Sequence, residues 1–210
     1  ETTQRGAMMA YLQYKLQSKD DLESLYAIAE NNDGDYAIRN WAYDAIVLLG
    51  DKEQKTRIAR LLHLTGADKD RFRGVGVDEL IKLLGPEGVP FILGEVVAEP
   101  DPWESWLDLR DYVPVRLTQD REGAVLKGED AKKTAEQLRT LLSHEDAMMR
   151  GLAVYALGYV GDASDKAKLE GMKKDKGKLN GWKFEQGDQV VEDFPTVGSV
   201  AEWSLKKLGQ

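Results

Sequence analysis

The sequence predicts an all-α fold, a right-handed α-α superhelix of about five helix pairs. The main observation is a six-residue motif that recurs with identical spacing 111 positions further along the chain. Weaker copies of its second half follow 35 positions after the first copy and again near the C-terminus. Self-similarity at a fixed period is typical of solenoids, in which each repeat stacks on the next. The two full copies are Asp35, Arg39, Ala42, Ala45, Gly50 and Asp51, and Asp146, Arg150, Ala153, Ala156, Gly161 and Asp162.

Two apolar stripes at helical spacing predict the first helix pair. Ser18 and Asp21 have the spacing of a capping box and mark the start of the second helix. The chain then enters the turn-forming segment 31–34, so the two helices are expected to form one hairpin. The stripes are Met8, Tyr11, Leu12 and Leu16, and Leu22, Leu25, Tyr26 and Ala29.

The second and third pairs follow the same plan. Asp35 is placed to cap the next helix, whose partner runs from about Lys52 to Leu64 and closes at Gly66. In the third pair the first helix ends at Gly85. Its partner begins near Pro90, because proline is favoured in the first turn of a helix.

The central block, 100–143, is predicted to be an irregular repeat. A helix is expected to carry Trp103, Trp106 and Tyr112 and to be broken by Val113 and Pro114. The polar segment 118–128 then predicts a long internal loop, after which apolar residues at helical spacing return up to Leu142.

A second irregularity is expected at 173–195, where Lys, Gly, Asp and Glu dominate. We predict an inserted loop here that is either mobile or functional, with Trp182 and Phe184 embedded in it. A last helix, Thr196 to Leu208, ends the array. The whole chain, 1–210, is expected to form a single repeat domain.

Two stretches carry a family resemblance: 83–90, which reads Leu-Leu-Gly-Pro-Glu-Gly-Val-Pro, and 150–162, which begins at Arg150 and ends with Gly-Asp. They resemble the HEAT-like repeats named after phycobilisome lyases, in which an Arg, two small residues and a terminal Gly-Asp recur on the first helix of each pair. The resemblance covers 35–98 and 130–174 well, and it implies an armadillo-type solenoid. It also implies that Ala42, Ala45, Ala153 and Ala156 lie where helices cross, since small side chains allow close approach there.

Composition narrows the classes of function. The net charge is -8 and the sequence pI is about 5.0, so the overall field repels nucleic acids and anionic membranes. The chain has no cysteine, which excludes disulfides and thiolate chemistry. No apolar run reaches the roughly 20 residues that cross a bilayer. We therefore expect a soluble protein without membrane insertion, cytoplasmic unless a leader upstream of Glu1 was removed.

The sequence gives little support to the two enzyme classes known among HEAT-like proteins that we consider. Some HEAT-like proteins are iron-dependent hydroxylases with repeated His-Glu pairs, but this chain has only His63 and His144, in different repeats. A HEAT-like DNA glycosylase would use aromatic residues and a carboxylate such as Asp108 or Asp111, yet acidic residues outnumber basic ones around that helix. We expect no catalytic residue, metal or cofactor.

The leading hypothesis is a non-catalytic scaffold that binds another protein, one with basic patches, along the concave face of the solenoid. The alternative is a lyase-like or accessory protein that holds a small ligand in the groove. Core packing is the simpler explanation of the tryptophans, but tryptophan beside arginine is also typical of interface hot spots. The candidate partner-binding residues are Trp103, Trp106, Arg110, Trp182 and Phe184.

Overall fold

The computed structural model describes residues 19–31, 36–49, 55–66, 69–98, 108–186 and 189–209, and these residues are mostly helical. The chain divides into two compact units, Glu1–Leu83 and Leu84–Gln210. The predicted helical class is confirmed, whereas the superhelical arrangement and the single array over 1–210 stay predictions.

The first unit is built from helices joined by short connections. Helices α1 (Lys19–Ala29) and α2 (Tyr36–Leu49) pack closely on one another. The predicted stripe of Leu22, Leu25, Tyr26 and Ala29 is buried on α1, whereas the stripe of Met8, Tyr11, Leu12 and Leu16 lies outside the described residues. A short helix, α3, continues into a 3-10 turn at Arg60–His63, and Gly66 follows it with a positive φ of 94°. The elements are α1 (Lys19–Ala29), α2 (Tyr36–Leu49), α3 (Lys55–Ala59) and α4 (Lys69–Leu84).

An arginine near the start of its helix binds main-chain carbonyl groups just before that helix, and this happens three times. In the first unit, Arg39 Nε donates to Ala29 O at 3.0 Å and Arg73 Nη2 donates to Leu64 O at 3.1 Å. In the second unit, Arg150 Nη1 donates to His144 O and Glu145 O at 2.7 and 2.9 Å. These carbonyls lie at or just beyond the end of the preceding helix, where they lack helical partners. The arginines therefore join successive helices.

The second unit opens with a 3-10 turn, Gly85–Gly88, and α5 (Val89–Val97), which has Pro90 in its first turn as predicted. Helix α6 (Leu109–Arg116) differs from the expectation, because it contains Pro114 instead of ending there. The chain leaves the helix after Arg116 and makes a tight loop in which Gln119 pairs with Val125. Residues 101–107 lie outside the described residues.

Helix α8 (Ala147–Val160) forms the core of the second unit and packs against α7 (Gly128–Leu141) and α10 (Val197–Leu208). Asp146 caps α8 by accepting hydrogen bonds from the backbone N–H groups of Met148 and Met149. On α8, Ala153 and Ala156 are fully buried. Thr196 and Ser199 form a capping box that starts α10.

The segment 173–195 is not the loop that the sequence predicts. After α9 (Asp165–Met172), the chain forms an antiparallel hairpin of β1 (Lys178–Gln186) and β2 (Gln189–Thr196). Leu179 and Trp182 of β1 bury their side chains and lie over Gly151 of α8, where a Cβ atom would come within 2.9 Å of Leu179. The hairpin is thus packed against the helical core and held there by apolar contacts.

An ion pair fixes the chain where it enters the hairpin. Arg150 Nε lies 2.7 Å from a carboxylate oxygen of Asp175, which also accepts from the backbone N–H of Gly177. The start of α10 packs on the same turn, and a Cβ atom on Gly198 would lie 2.5 Å from the carbonyl oxygen of Lys173. The ion pair joins residues 25 positions apart in the sequence.

Candidate functional site

The structure places the five predicted partner-binding residues very differently. Trp103 and Trp106 lie outside the described residues. Phe184 is on β1 opposite Glu192, but its side chain is likewise outside the described part. Arg110 and Trp182 are buried, with 5% and 0% of their surface exposed. Trp182 therefore presents no exposed surface to a partner, because its ring fills the space between the hairpin and α8.

Arg110 is engaged within its own helix. Its Nε and Nη2 atoms donate to the two carboxylate oxygens of Asp108 at 3.2 and 3.0 Å, and its backbone N–H donates to the same carboxylate. Asp108 is the N-cap of α6, so the pair fixes the start of that helix. A bidentate pair on a helix cap is a structural arrangement rather than an open hot spot.

The most unusual polar contact in the second unit joins α6 to the hairpin. The indole N–H of Trp182 donates a hydrogen bond to Oδ1 of Asp111. This contact connects residues 71 positions apart and satisfies the one polar atom of a fully buried indole. Asp111 therefore links helix α6 to the C-terminal hairpin.

Burial changes the acidity of Asp111. Loss of solvent raises the pKa of its carboxyl group from 3.8 to about 7, and the negative charge of Asp108 acts in the same direction. The hydrogen bond from Trp182 and the charge of Arg110 oppose this shift. A carboxyl group with a pKa near neutrality has the acidity of a general acid or base. In the folded chain, however, the indole of Trp182 is hydrogen-bonded to Oδ1 of Asp111, and Arg110 is bound to the carboxylate of Asp108.

Trp182 belongs to an aromatic cluster that extends to the surface. Its ring meets Phe194 of β2 and Tyr155 of α8 edge-on, with centroids 5.5 and 5.3 Å apart. Tyr155 stacks on Trp203 of α10 at 4.5 Å, and the hydroxyls of Tyr155 and Tyr159 lie 3.3 Å apart. Tyr159 and Trp203 are only half-buried, so the cluster ends at solvent.

The first unit contains a separate concavity of about 440 Å³. Its lining combines an acidic, a basic and three other side chains from the end of α1 and the region of the 3-10 turn: Glu30, Arg60, His63, Leu64 and Thr65. Arg60 is held in place by Glu23, whose carboxylate oxygen lies 3.0 Å from Nη1, and it lies over the ring of Tyr26. The size is within the range of small-molecule sites.

In the part of the chain that the structure describes, His, Asp and Glu side chains form no group of three that could hold a metal ion. His144 uses Nδ1 to accept a hydrogen bond from the backbone N–H of Asp146. None of the described helices combines the length and apolar character that crossing a bilayer requires.

Sequence reasoning missed the hairpin although a signal for it is present. Gly187 and Asp188 follow the alternating stretch Trp182-Lys-Phe184-Glu and precede a stretch that begins with the β-branched pair Val190 and Val191, and a two-residue Gly-Asp linker is typical of a hairpin. The strand register closes on Gln186 paired with Gln189. The role of Asp111 had no comparable signal, because its partner Trp182 is distant in sequence.

Comparison with known proteins returned no match: no family model, no curated protein and no solved structure is similar to the chain. The resemblance to HEAT-like repeats of the phycobilisome lyase type therefore stays a prediction.

Proposed function

We propose that the protein is a non-catalytic scaffold that binds a protein partner carrying basic patches, along a surface formed by stacked helix pairs. The observation that supports this most is the repeated anchoring by Arg39, Arg73 and Arg150, each of which binds carbonyls just before its own helix. In solenoid proteins, repeated helix units stack into extended surfaces that bind partners through many distributed contacts.

The charge distribution supports a basic partner. The chain carries a net charge of -8, and complementary charge speeds association and selects among partners. Apolar contacts are offered as well, since Ile28 and Ile38 are 41% and 50% exposed. They lie in the last turn of α1 and the first turn of α2, on either side of the same connection.

We do not propose Arg110 or Trp182 as partner contacts, because both are buried and bound to aspartates of the second unit. Trp103, Trp106 and Phe184 stay predictions of contact residues. The right-handed superhelix with its second helices facing the groove is part of the same proposal.

Affinity capture from an extract of the native source tests this function. The full chain is immobilised, and an unrelated acidic protein of similar net charge serves as the control bait. We expect one basic protein in stoichiometric amount, retained at about 0.15 M salt and released towards 1 M as exposed charges are screened. Recovery of the same proteins on both baits would contradict the proposal.

The concavity in the first unit favours the alternative, an accessory protein that holds a small ligand. Its walls offer the carboxylate of Glu30, the guanidinium of Arg60 and the apolar side chain of Leu64. A panel of small polar metabolites is tested for a rise in melting temperature, because a ligand that binds the folded state stabilises it. A rise that Arg60→Met abolishes, and that the exposed control Arg121→Met retains, would favour the alternative.

A further inference from the structure

The aromatic cluster of the second unit reaches solvent at two rings, Tyr159 of α8 and Trp203 of α10. Their centroids lie 5.7 Å apart with planes inclined by 52°. The buried ring of Tyr155 supports both from beneath, stacked on Trp203 at 4.5 Å and edge-on to Tyr159 at 5.6 Å. The two half-buried rings are therefore held in a fixed, tilted arrangement.

A cation of the chain itself already lies over these rings. The ammonium group of Lys207 is 5.7 Å from the centroid of Tyr159 and 5.8 Å from that of Trp203. Both distances are within the range of a cation–π interaction, in which the negative face of an aromatic ring attracts a positive charge. Because Lys207 is exposed, it can leave the rings at little cost in packing.

The surroundings of the rings also favour positive charge. Tyr159 is in the last turn of α8, and the C-terminal end of a helix carries a partial negative charge. Asp162 follows the helix with a carboxylate that is 60% exposed, and Arg139 Nη2 lies 3.2 Å from one of its oxygens. The hydroxyl of Ser164 donates to this carboxylate at 2.6 Å, which lowers the pKa of Asp162 and keeps it ionised.

We propose that the Tyr159–Trp203 ring pair is the binding site for a basic side chain, lysine or arginine, of the protein partner, and that Lys207 occupies this site in the free chain. The inference rests on the proposed scaffold function and adds to it the location and chemistry of one contact. The partner's side chain displaces Lys207, so Lys207 lowers the affinity by competing for the same rings.

Adjacent lysines give a matched pair of variants. Lys206 and Lys207 are both exposed in the last turn of α10. In the cation–π contacts of the described residues, Lys207 lies over the two rings and Lys206 does not. Lys206→Gln and Lys207→Gln remove the same charge from neighbouring positions. General electrostatics thus predicts equal effects, whereas competition for the rings predicts that Lys207→Gln alone strengthens binding markedly.

The probe is capped hexa-arginine, and capped hexa-citrulline, which has the same shape without the charge, is the control. Titration into the full chain is followed by the indole N–H signals in a two-dimensional ¹H–¹⁵N NMR spectrum, with Trp203 assigned through Trp203→Phe. We expect hexa-arginine alone to shift the Trp203 signal. Lys207→Gln should tighten binding about two- to fivefold, which corresponds to one cation–π contact, and Lys206→Gln should change it by less.

Ring variants complete the test. Tyr159→Phe keeps an aromatic face and should retain binding, whereas Tyr159→Leu should weaken it at least twofold. A circular dichroism melt confirms that both variants fold, and Tyr159→Phe keeps the comparison meaningful if Tyr159→Leu is unstable. Equal effects of the two lysine variants, or binding that leaves the Trp203 signal unmoved, would overturn the proposed site.

The outcome separates this site from the scaffold function. Capture of a basic partner that Tyr159→Leu and Lys207→Gln leave unchanged would overturn the site and keep the scaffold. Binding of hexa-arginine at the rings without any captured partner would support the cation site and count against the scaffold.

Discussion

The carboxyl group of Asp111 accepts a hydrogen bond from the indole of Trp182 and so joins helix α6 to the C-terminal hairpin. The indole of Trp182 is removed from water and Asp111 is partly buried, and leaving the buried indole N–H unpaired costs about 1–3 kcal/mol. The contact explains why a tryptophan stands in a segment whose composition is otherwise that of a surface loop. It also makes the stability of the second unit depend on the protonation of one residue.

Asp111→Asn should remove a pH dependence of stability. The pKa of Asp111 is raised from 3.8 to about 7 in the folded chain, so the folded state binds the proton more tightly than the unfolded state. The stabilisation is complete below about pH 4 and is lost as the pH rises through about 7. Chemical denaturation at pH 5 and pH 8 should show the parent losing on the order of 2 kcal/mol more than the variant over this interval. Equal losses in both proteins would contradict the assignment, and Asp193→Asn on the exposed part of β2 is the control.

Trp182→Phe should raise the pKa of Asp111 further and destabilise the chain. The hydrogen bond from Trp182 lowers this pKa, and phenylalanine cannot donate it. We expect a loss of about 1–3 kcal/mol in the free energy of unfolding, measured by denaturant titration. Carboxyl ¹³C NMR follows the acidity of Asp111 directly. A pKa that stays in place would show that the indole does not act on this carboxyl group.

Arg150→Met should loosen the attachment of the hairpin. It removes the bonds to His144 O and Glu145 O together with the ion pair to Asp175. We expect a loss of about 1–3 kcal/mol. Hydrogen exchange should be faster at Gly177, whose N–H binds Asp175. Arg121→Met, at an exposed position in the loop after α6, should change stability by less than about 0.5 kcal/mol.

The same ion pair has the opposite pH dependence from Asp111. The hydrogen bond from Arg150 lowers the pKa of Asp175 below 3.8, so the pair stabilises the folded state above that value and loses its effect as the pH falls through the lowered pKa. The cost of Arg150→Met should therefore be largest at neutral pH and should shrink in acid. A cost that is constant with pH would assign the effect to the carbonyl bonds alone.

Ala156→Leu and Ala45→Leu should overpack the helices that carry them. Both alanines are buried, with 0% and 1% of their surface exposed. Added methylene groups in a packed core cost about 1–3 kcal/mol. Ala167→Leu on the exposed face of α9 is the matched control and should leave the denaturation midpoint nearly unchanged. Melts in which Ala156→Leu matches this control would refute the packing assigned to α8.

Helices were predictable here because their signals are local. The apolar spacing on α1 and α2, the capping residue Asp146 and the glycines Gly66 and Gly85 act within a few residues of the structure they specify. Pro114 shows the limit of such signals. A proline favours a helix end, but it is accommodated when packing holds the helix, and Val113 and Pro114 are both buried in α6.

The hairpin and the candidate site depend on contacts that are distant in sequence. Trp182 is buried only because Gly151 leaves room on α8 and Asp111 offers an acceptor from α6. The composition of 173–195, rich in lysine and acidic residues, indicates a loop when it is considered alone. The sequence does not show which distant residues its apolar side chains contact. Arg110 is likewise a typical hot-spot residue by composition, but the start of α6 brings its guanidinium onto the carboxylate of the N-cap residue Asp108.

Each anchoring arginine binds a carbonyl group at most 10 residues before it in the chain, the longest separation being that of Arg39 and Ala29. Such junctions close very short loops, so joining one helix to the next costs little chain entropy.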